Sequence, residues 1–310
     1  MNAKLIWNAN ASNTSNDPNS IVEALKKVGV VPELCQTGSL EDLDLVLERT
    51  QDAVIVAGGD GSLRQVVKRL RGRDIPIMLL PLGTANNFAG ALGVRRDPFE
   101  LIAALEHRVM RQVDLGVVLF NQQEDVFLEG AGVGLFAHAM LSYGEDHGKS
   151  VLRALHAITR TITLAPKIQM GFRATLEDNS IETFSGHLSL FEVMNATALG
   201  PRLPLVPSAD LSDGLLDLLT IEADGSTGFL NYAINALSGS LESLENVTLR
   251  RIKEVQLDFS GGALHFDGDS CQLPICHVDF WVEPSAITMI VPEDITQPMS
   301  AMPWEQTNAN

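Results

Sequence analysis

Apolar runs and apolar-periodic stretches alternate along the first hundred residues. KLIWNA (4–9) reads as a strand, NASNTSND (10–17) as a polar loop, and NSIVEALKKVG (19–29) as a helix capped by Asn19 or Ser20. A short strand VVPELCQT (30–37) precedes the helix SLEDLDLVLERT (39–50), where Ser39 and Asp42 fit a reciprocal cap. The buried strand AVIVA (53–57) leads to LRQVVKRL (63–70), whose Leu63, Val66, Val67 and Leu70 fall on one helical face. PIMLLPL (76–82) and NNFAGALGV (86–94) complete the series. Strands and helices at this spacing predict a parallel sheet flanked by helices, with ligands collecting at the carboxyl ends of the strands.

Near Val113 the rhythm changes. KIQMGFRATLE (167–177) alternates cleanly, with Ile168, Met170, Phe172, Ala174 and Leu176 on one face. Val255, Leu257 and Phe259 repeat the pattern, as do Val278, Phe280 and Val282. HLSLFEV (187–193), LLDLLTIE (215–222) and AITMIV (286–291) add short strands between Gly, Asn, Asp and Pro. Such a series predicts an antiparallel sandwich or barrel. One helix is expected at 150–164, with an apolar stripe that either packs on the sheet or docks on a membrane. The fold expected is therefore α/β plus all-β, with units at 1–118 and 119–310 and the last residues free to return to the first.

Composition narrows the class. A chain of 310 residues with 45% hydrophobic and 20% charged residues suits a soluble globular protein of two domains. No apolar run approaches the length of a membrane span. Cys35, Cys271 and Cys276 are too few and scattered for a disulfide framework, so the cytoplasm is the default expectation. The net charge of −17 divides into −1 over 1–118 and −16 over 119–310. That acidity argues against nucleic acid as a partner and against broad adhesion to anionic lipid. The histidines show no metal spacing, and Cys271, Cys276 and His277 read as packing residues.

The chemistry concentrates in two strand–loop–helix turns, AGGDGS (57–62) and PLGTANNFAG (81–90). Gly58 and Gly59 allow a sharp turn and the close approach of a phosphate. Asp60 offers carboxylate oxygen to Mg2+, and Ser62 lies where a helix N-terminus favours an anion. Gly83 and Thr84 supply backbone and hydroxyl, while Asn86 either binds phosphate or holds the loop. Asn87 reads most simply as a cap. A plain tight turn explains either loop alone; two in tandem predict a site for a phosphorylated ligand. The spacing fits neither the Walker A pattern nor the dinucleotide glycine fingerprint.

Four segments resemble the diacylglycerol kinase catalytic-domain family of soluble bacterial lipid kinases, which includes sphingosine and ceramide kinases. GGDGS (58–62) resembles its GGDGT loop, and PLGTANNFA (81–89) its PxGTxNDFA segment. LSDGLLDL (211–218) is similar to xDGLLDL, and FDGDS (266–270) to the DGE element. The order and spacing agree over essentially the whole chain. The resemblance implies a Rossmann-like, NAD-kinase-like N-terminal nucleotide domain and a C-terminal β-sandwich, with ATP between them and Mg2+ on the nucleotide. It implies ATP contacts at Gly58, Gly59, Asp60, Gly61, Ser62, Leu63, Arg64 and Thr84, with Thr37 joining from the end of the second strand. Asp269 matches the general base, and Asp267 is placed to assist it. Asp210, Asp213 and the Leu215 carbonyl match a structural metal site.

Departures from the family pattern are Gln65 in place of an acidic residue, Asn87 in place of Asp, and NANASN (8–13) in place of NPxSG. Asp269 replaces Glu, shortening the base by one carbon–carbon bond, about 1.5 Å. The expected activity is transfer of the ATP γ-phosphate to a lipid hydroxyl, on diacylglycerol or a related glycerolipid or sphingoid lipid. Partners would be a lipid presented at the inner membrane face and a second copy of the chain. A nucleotide- or lipid-binding protein without turnover, and a phosphotransferase for a soluble alcohol, are the alternatives.

Overall fold

The alternation of the first hundred residues becomes a parallel sheet. In the computed structural model, residues 1–7, 17–50, 52–138, 167–200, 202–223 and 229–295 are described. Strand β1 (Asn2–Trp7) pairs in parallel with β2 (Val31–Gln36) on one side and β3 (Ala53–Gly58) on the other. β3 in turn pairs with β4 (Ile77–Pro81), and every residue of β3 and β4 is buried, as their unbroken apolar runs require. Helix α1 (Pro18–Lys27) starts earlier than expected: Asp17 stands at the N-cap and Pro18 follows it, so Asn19 and Ser20 lie inside the first turn. Proline at that position loses no hydrogen bond and has its φ already set. Helix α2 (Leu40–Glu48) carries the expected reciprocal cap between Ser39 and Asp42. Helix α3 (Asp60–Leu70) begins directly after Gly59 and buries Leu63, Val66, Val67 and Leu70, each contributing about 1.5–3 kcal/mol by leaving water. Short helices α4 (Asn87–Ala91) and α5 (Pro98–Ala103) follow β4.

The remaining strands are antiparallel. β5 (Arg108–Phe120) pairs with β6 (Gln123–Phe127) and, over most of its length, with β14 (Cys276–Pro292). Between them lie β7 (Gly130–Gly134), β8 (Ile168–Leu176), β9 (Ile181–Met194), β10 (Leu216–Glu222), β11 (Val247–Phe259), β12 (Gly262–Phe266) and β13 (Asp269–Leu273). Met289 of β14 pairs in parallel with Ile77 of β4, so β14 joins the first sheet to the rest. Among the described residues the main strand order is β13-β12-β7-β9-β10-β11-β14-β4-β3-β1-β2.

Among the described residues three cores follow this layout. The first packs Leu5, Ile21, Leu25, Ile55, Leu63, Leu80 and Phe88 around the parallel strands, and includes Met289 and Val291. The second joins the alternating faces of the antiparallel strands through Phe172, Phe191, Val255, Leu257 and Phe280. The third sets helix α6 (Phe229–Leu237), through Tyr232, Ala233 and Ala236, against Leu190, Met194 and Leu219. The helix expected at 150–164 and the NANASN segment lie outside the described residues. No helix among the described residues is long and apolar enough to cross a membrane.

Candidate active site

The two glycine loops touch each other. A Cβ on Gly83 would sit 2.6 Å from Gly59 Cα, and one on Gly59 would sit 3.1 Å from Gly83 Cα. Side chains would therefore push the loops apart; glycine lets both backbones meet at the carboxyl ends of β3 and β4. Asn86 holds the second loop from within. It adopts a left-handed backbone (φ 51°), and its Nδ2 donates to the carbonyls of Gly83 (2.9 Å) and Pro81 (3.3 Å). Asp60 crosses between the loops, its Oδ2 accepting the Asn87 amide at 2.6 Å and so capping α4. At Gly61, by contrast, a Cβ would meet nothing within 4 Å, and the N-cap of α3, Gly59, has no side chain with which to cap the helix. Thr37, Gly61, Ser62 and Gln65 line one cavity of about 260 Å³. Thr37 and the first loop, distant in sequence, thus face the same space.

Behind the loops the polar groups are buried. Asn87 Nδ2 donates to Glu129 Oε2 (2.7 Å) and to the Gly200 carbonyl (2.8 Å). Burial lifts the Asp60 carboxyl above the usual carboxylate range. Burial, with Asp60 and then Asp267 nearby, lifts Glu129 much further. Asp267 receives the amides of Leu128 (2.9 Å), Glu129 (2.8 Å) and Gly130 (3.3 Å), which fixes the turn entering β7. Burial pushes it up to about 6 against the opposing pull of Arg64 and those amides. Asp267 and Gly268 form the expected two-residue hairpin, with Asp267 at φ 51° and Phe266 paired to Asp269.

Arg64 is the link between halves. Its Nε donates to the Val126 carbonyl at 2.6 Å, and its guanidinium lies 2.5 Å from Asp269, 3.0 Å from Asp125 and 3.6 Å from Asp267. The same group sits 4.8 Å from the Phe266 ring centroid. Arg64 is one helical turn beyond Asp60, so this network ties the exposed Asp269 to the helix that starts at the first glycine loop. Leu63, by contrast, is wholly buried and its amide donates to the Gly59 carbonyl, leaving its side chain to the core.

Thr84 is exposed, and its carbonyl accepts from Arg202 Nη2 at 2.8 Å, with Arg202 Nε on the Ala85 carbonyl at 3.0 Å. Arg95 lies close enough to Arg202 and Asp60 to feel both, and burial lowers its pKa. Among the described residues neither arginine has a carboxylate partner within salt-bridge distance. The residues matched to a structural metal are otherwise engaged. Asp213 pairs with Arg251 at 2.5 Å and accepts the Leu215 amide, while Asp210 accepts the amide and hydroxyl of Ser212. Nearby Asp114 pins this loop through the amides of Gly214 and Ser285, both at 2.7 Å. Arg251 already answers the charge of Asp213, and that metal assignment rests on the resemblance alone.

For Mg2+ at the nucleotide the donors are better suited. Asn86 Oδ1 and Asn87 Oδ1 are buried and accept no hydrogen bond from the described residues, and the Asp60 carboxyl shares a hydrogen bond with Glu129. Oxygen donors of this kind match a hard cation. No group of three or more His, Cys, Asp or Glu among the described residues is arranged to hold a metal, but Mg2+ commonly takes one or two carboxylates and completes its shell with water and phosphate. Sequence reasoning missed Glu129, Arg95 and Arg202, because no motif surrounds them and each meets the loops only through folding.

Residues 2–118 match the family model described as diacylglycerol kinase catalytic domain, and residues 154–291 match the YegS C-terminal NAD kinase beta sandwich-like domain. A Pseudomonas fluorescens protein named "Probable lipid kinase YegS-like" is 30% identical over 78% of this chain and 78% of its own length. The chain belongs to the diacylglycerol kinase catalytic-domain family of lipid kinases. Diacylglycerol kinase of Mycobacterium tuberculosis is 28% identical over 78% of this kinase and 77% of its own length. A crystal structure of a diacylglycerol kinase from Bacillus anthracis superposes with a TM-score of 0.69 at 17% identity, covering 94% of this chain and 97% of that one. An NAD kinase from Archaeoglobus fulgidus in complex with ATP shares the fold more distantly, with a TM-score of 0.51 at 14% identity over 95% of each chain. The architecture is thus the α/β plus β-sandwich arrangement of these kinases.

Proposed function

We propose that this kinase moves the γ-phosphate of ATP to the hydroxyl of diacylglycerol or a related glycerolipid or sphingoid lipid, with Asp269 as general base. The observation that carries the reading is Arg64, which joins Asp269 to the helix opening at the first glycine loop. Donor loop and acceptor base are thereby held by one side chain.

Phosphoryl transfer needs positioning and charge neutralisation more than covalent help from protein. In this reading the cavity lined by Thr37, Gly61, Ser62 and Gln65 takes the nucleotide. The start of α3 and the Gly59–Gly83 contact receive the phosphates, and Arg95 and Arg202 balance their charge. Asp60 is the carboxylate that would hold Mg2+, which when bound neutralises the triphosphate. Asp267 is a positioning residue: its three amide contacts and hairpin turn aim Asp269. Asp269, with a side chain 61% exposed, takes the proton of the acceptor hydroxyl as its oxygen bonds to the γ-phosphorus and the bond from that phosphorus to the bridging oxygen breaks, releasing ADP. Lipid would be met at a membrane surface by peripheral contact.

The test is transfer of labelled γ-phosphate from ATP to diacylglycerol, phosphatidylglycerol, sphingosine and polyprenol in mixed micelles. Label is expected in a lipid product. ATP binding without any labelled lipid would favour a protein without turnover. Label only in a soluble alcohol would overturn the lipid assignment.

A further inference from the structure

The cluster behind the loops has an imbalance the kinase reading leaves unexplained. Asp60, Glu129 and Asp267 are nearly or fully buried within electrostatic reach of one another. Of the cations, Arg64 lies on the Asp267 side, and Arg95 acts on Asp60 only through space. Glu129 is held by a neutral amide, Asn87 Nδ2, and shares a hydrogen bond with the Asp60 carboxyl. At the same junction Asn87 Oδ1 is buried with no hydrogen-bond partner among the described residues. Two carboxyls in contact need a proton or a cation between them, and an orphaned amide oxygen beside them is a third oxygen that a cation would satisfy.

We infer that Glu129 is a divalent-cation ligand, acting with Asp60 Oδ1 and Asn87 Oδ1 in one oxygen site at the junction of the two glycine loops. The inference rests on the reading of Asp60 as a metal carboxylate and extends it to a residue outside every motif. It also gives Asn87 a place. Position 87 carries no charge, yet its amide reaches the Glu129 carboxylate, so the charge enters from the turn before β7 instead of from α4. A cation here would bind the two loops to that turn, and Asp267 holds the same turn through the Glu129 amide.

The experiment is Mn2+ titration of the full chain, without nucleotide and with ATP, reading free Mn2+ by electron paramagnetic resonance. Wild type is expected to bind Mn2+ in both conditions. Glu129→Gln, which keeps an acceptor for Asn87, should weaken binding at least tenfold, and adding Asn87→Asp should restore most of it. Glu129→Asp offers a shorter carboxylate and should fall between. Because a poorly folded variant would also lose binding, circular dichroism accompanies each titration. Wild-type thermal unfolding with and without Mn2+ gives a readout free of mutation, and an upward shift is expected. If Asp60→Asn loses Mn2+ while Glu129→Gln binds as wild type, Glu129 is no ligand and the Asp60 reading survives. If neither variant changes Mn2+ binding, both fail. Wild type that neither binds Mn2+ nor is stabilised by it overturns the site.

Discussion

Replacing Arg64 by methionine, which keeps most of the stem volume, isolates the charge that holds the two halves together. Arg64 is 4% exposed and lies 3.6 Å from the buried Asp267. At that distance, with an effective dielectric near 20, the attraction is about 4–5 kcal/mol. The contacts with the exposed Asp269 and the partly exposed Asp125 each add at most about 1 kcal/mol, and the Phe266 ring about 1–2 kcal/mol. Loss of the guanidinium's own desolvation cost offsets part of this sum. Breaking one partner out of a buried pair typically costs about 3–5 kcal/mol, and that is the destabilisation expected at pH 8. The penalty also depends on pH. Asp267 titrates near 6 in the folded protein even with Arg64 beside it, against about 3.9 when unfolded. A carboxyl raised on folding contributes stability at low pH and loses it as pH rises through the folded value. Without Arg64 that value climbs, so the penalty should be smaller at pH 5 than at pH 8. Urea unfolding of both proteins at the two pH values measures it. A difference under about 1 kcal/mol at both, or a larger one at pH 5, would refute the reasoning.

Gly83→Ala should destabilise by about 1–3 kcal/mol and weaken ATP binding at least tenfold, since its Cβ would press on Gly59 Cα at 2.6 Å. Gly61→Ala meets nothing within 4 Å and should leave thermal stability within about 0.5 kcal/mol; equal effects of the two in unfolding and ATP titration would contradict the touching-loop geometry. Asp217 is pushed up to about 7, mainly by burial and then by Asp213. It should cost the fold on the order of 4 kcal/mol as pH rises from 4 through 7. Asp217→Asn should flatten that part of the urea-midpoint profile, and an unchanged slope would remove Asp217 as its cause.

What could be read from the chain and what could not divide along sequence distance. The glycine loops, the Ser39–Asp42 cap and the Asp267–Gly268 hairpin are local, each written in residues that turn or cap a backbone at fixed spacing. The alternation at Ile168, Met170, Phe172 and Ala174 likewise states its buried face directly, and all four are buried. The start of α1 is ambiguous in the sequence because Asp17, the N-cap, stands beside the equally good capping residues Asn19 and Ser20. Arg64 reads as a polar position on an amphipathic helix; only the fold shows it meeting Asp269, 205 residues away. Glu129 sits in FLEG, which has no signature, and its partner Asn87 is 42 residues earlier. Asn87 therefore looked like a lost charge in the sequence, whereas the structure sets a carboxylate against it.

The central claim is that the glycine loops and Asp269 face one phosphoryl-transfer cleft while doing different work. Measuring ATP affinity and kcat together for Asp269→Asn tests it most directly. The account predicts ATP affinity within about twofold of wild type and turnover lower by at least about a hundredfold, the size of a lost general base. Full turnover in Asp269→Asn, or loss of ATP binding equal to the loss of turnover, would contradict it.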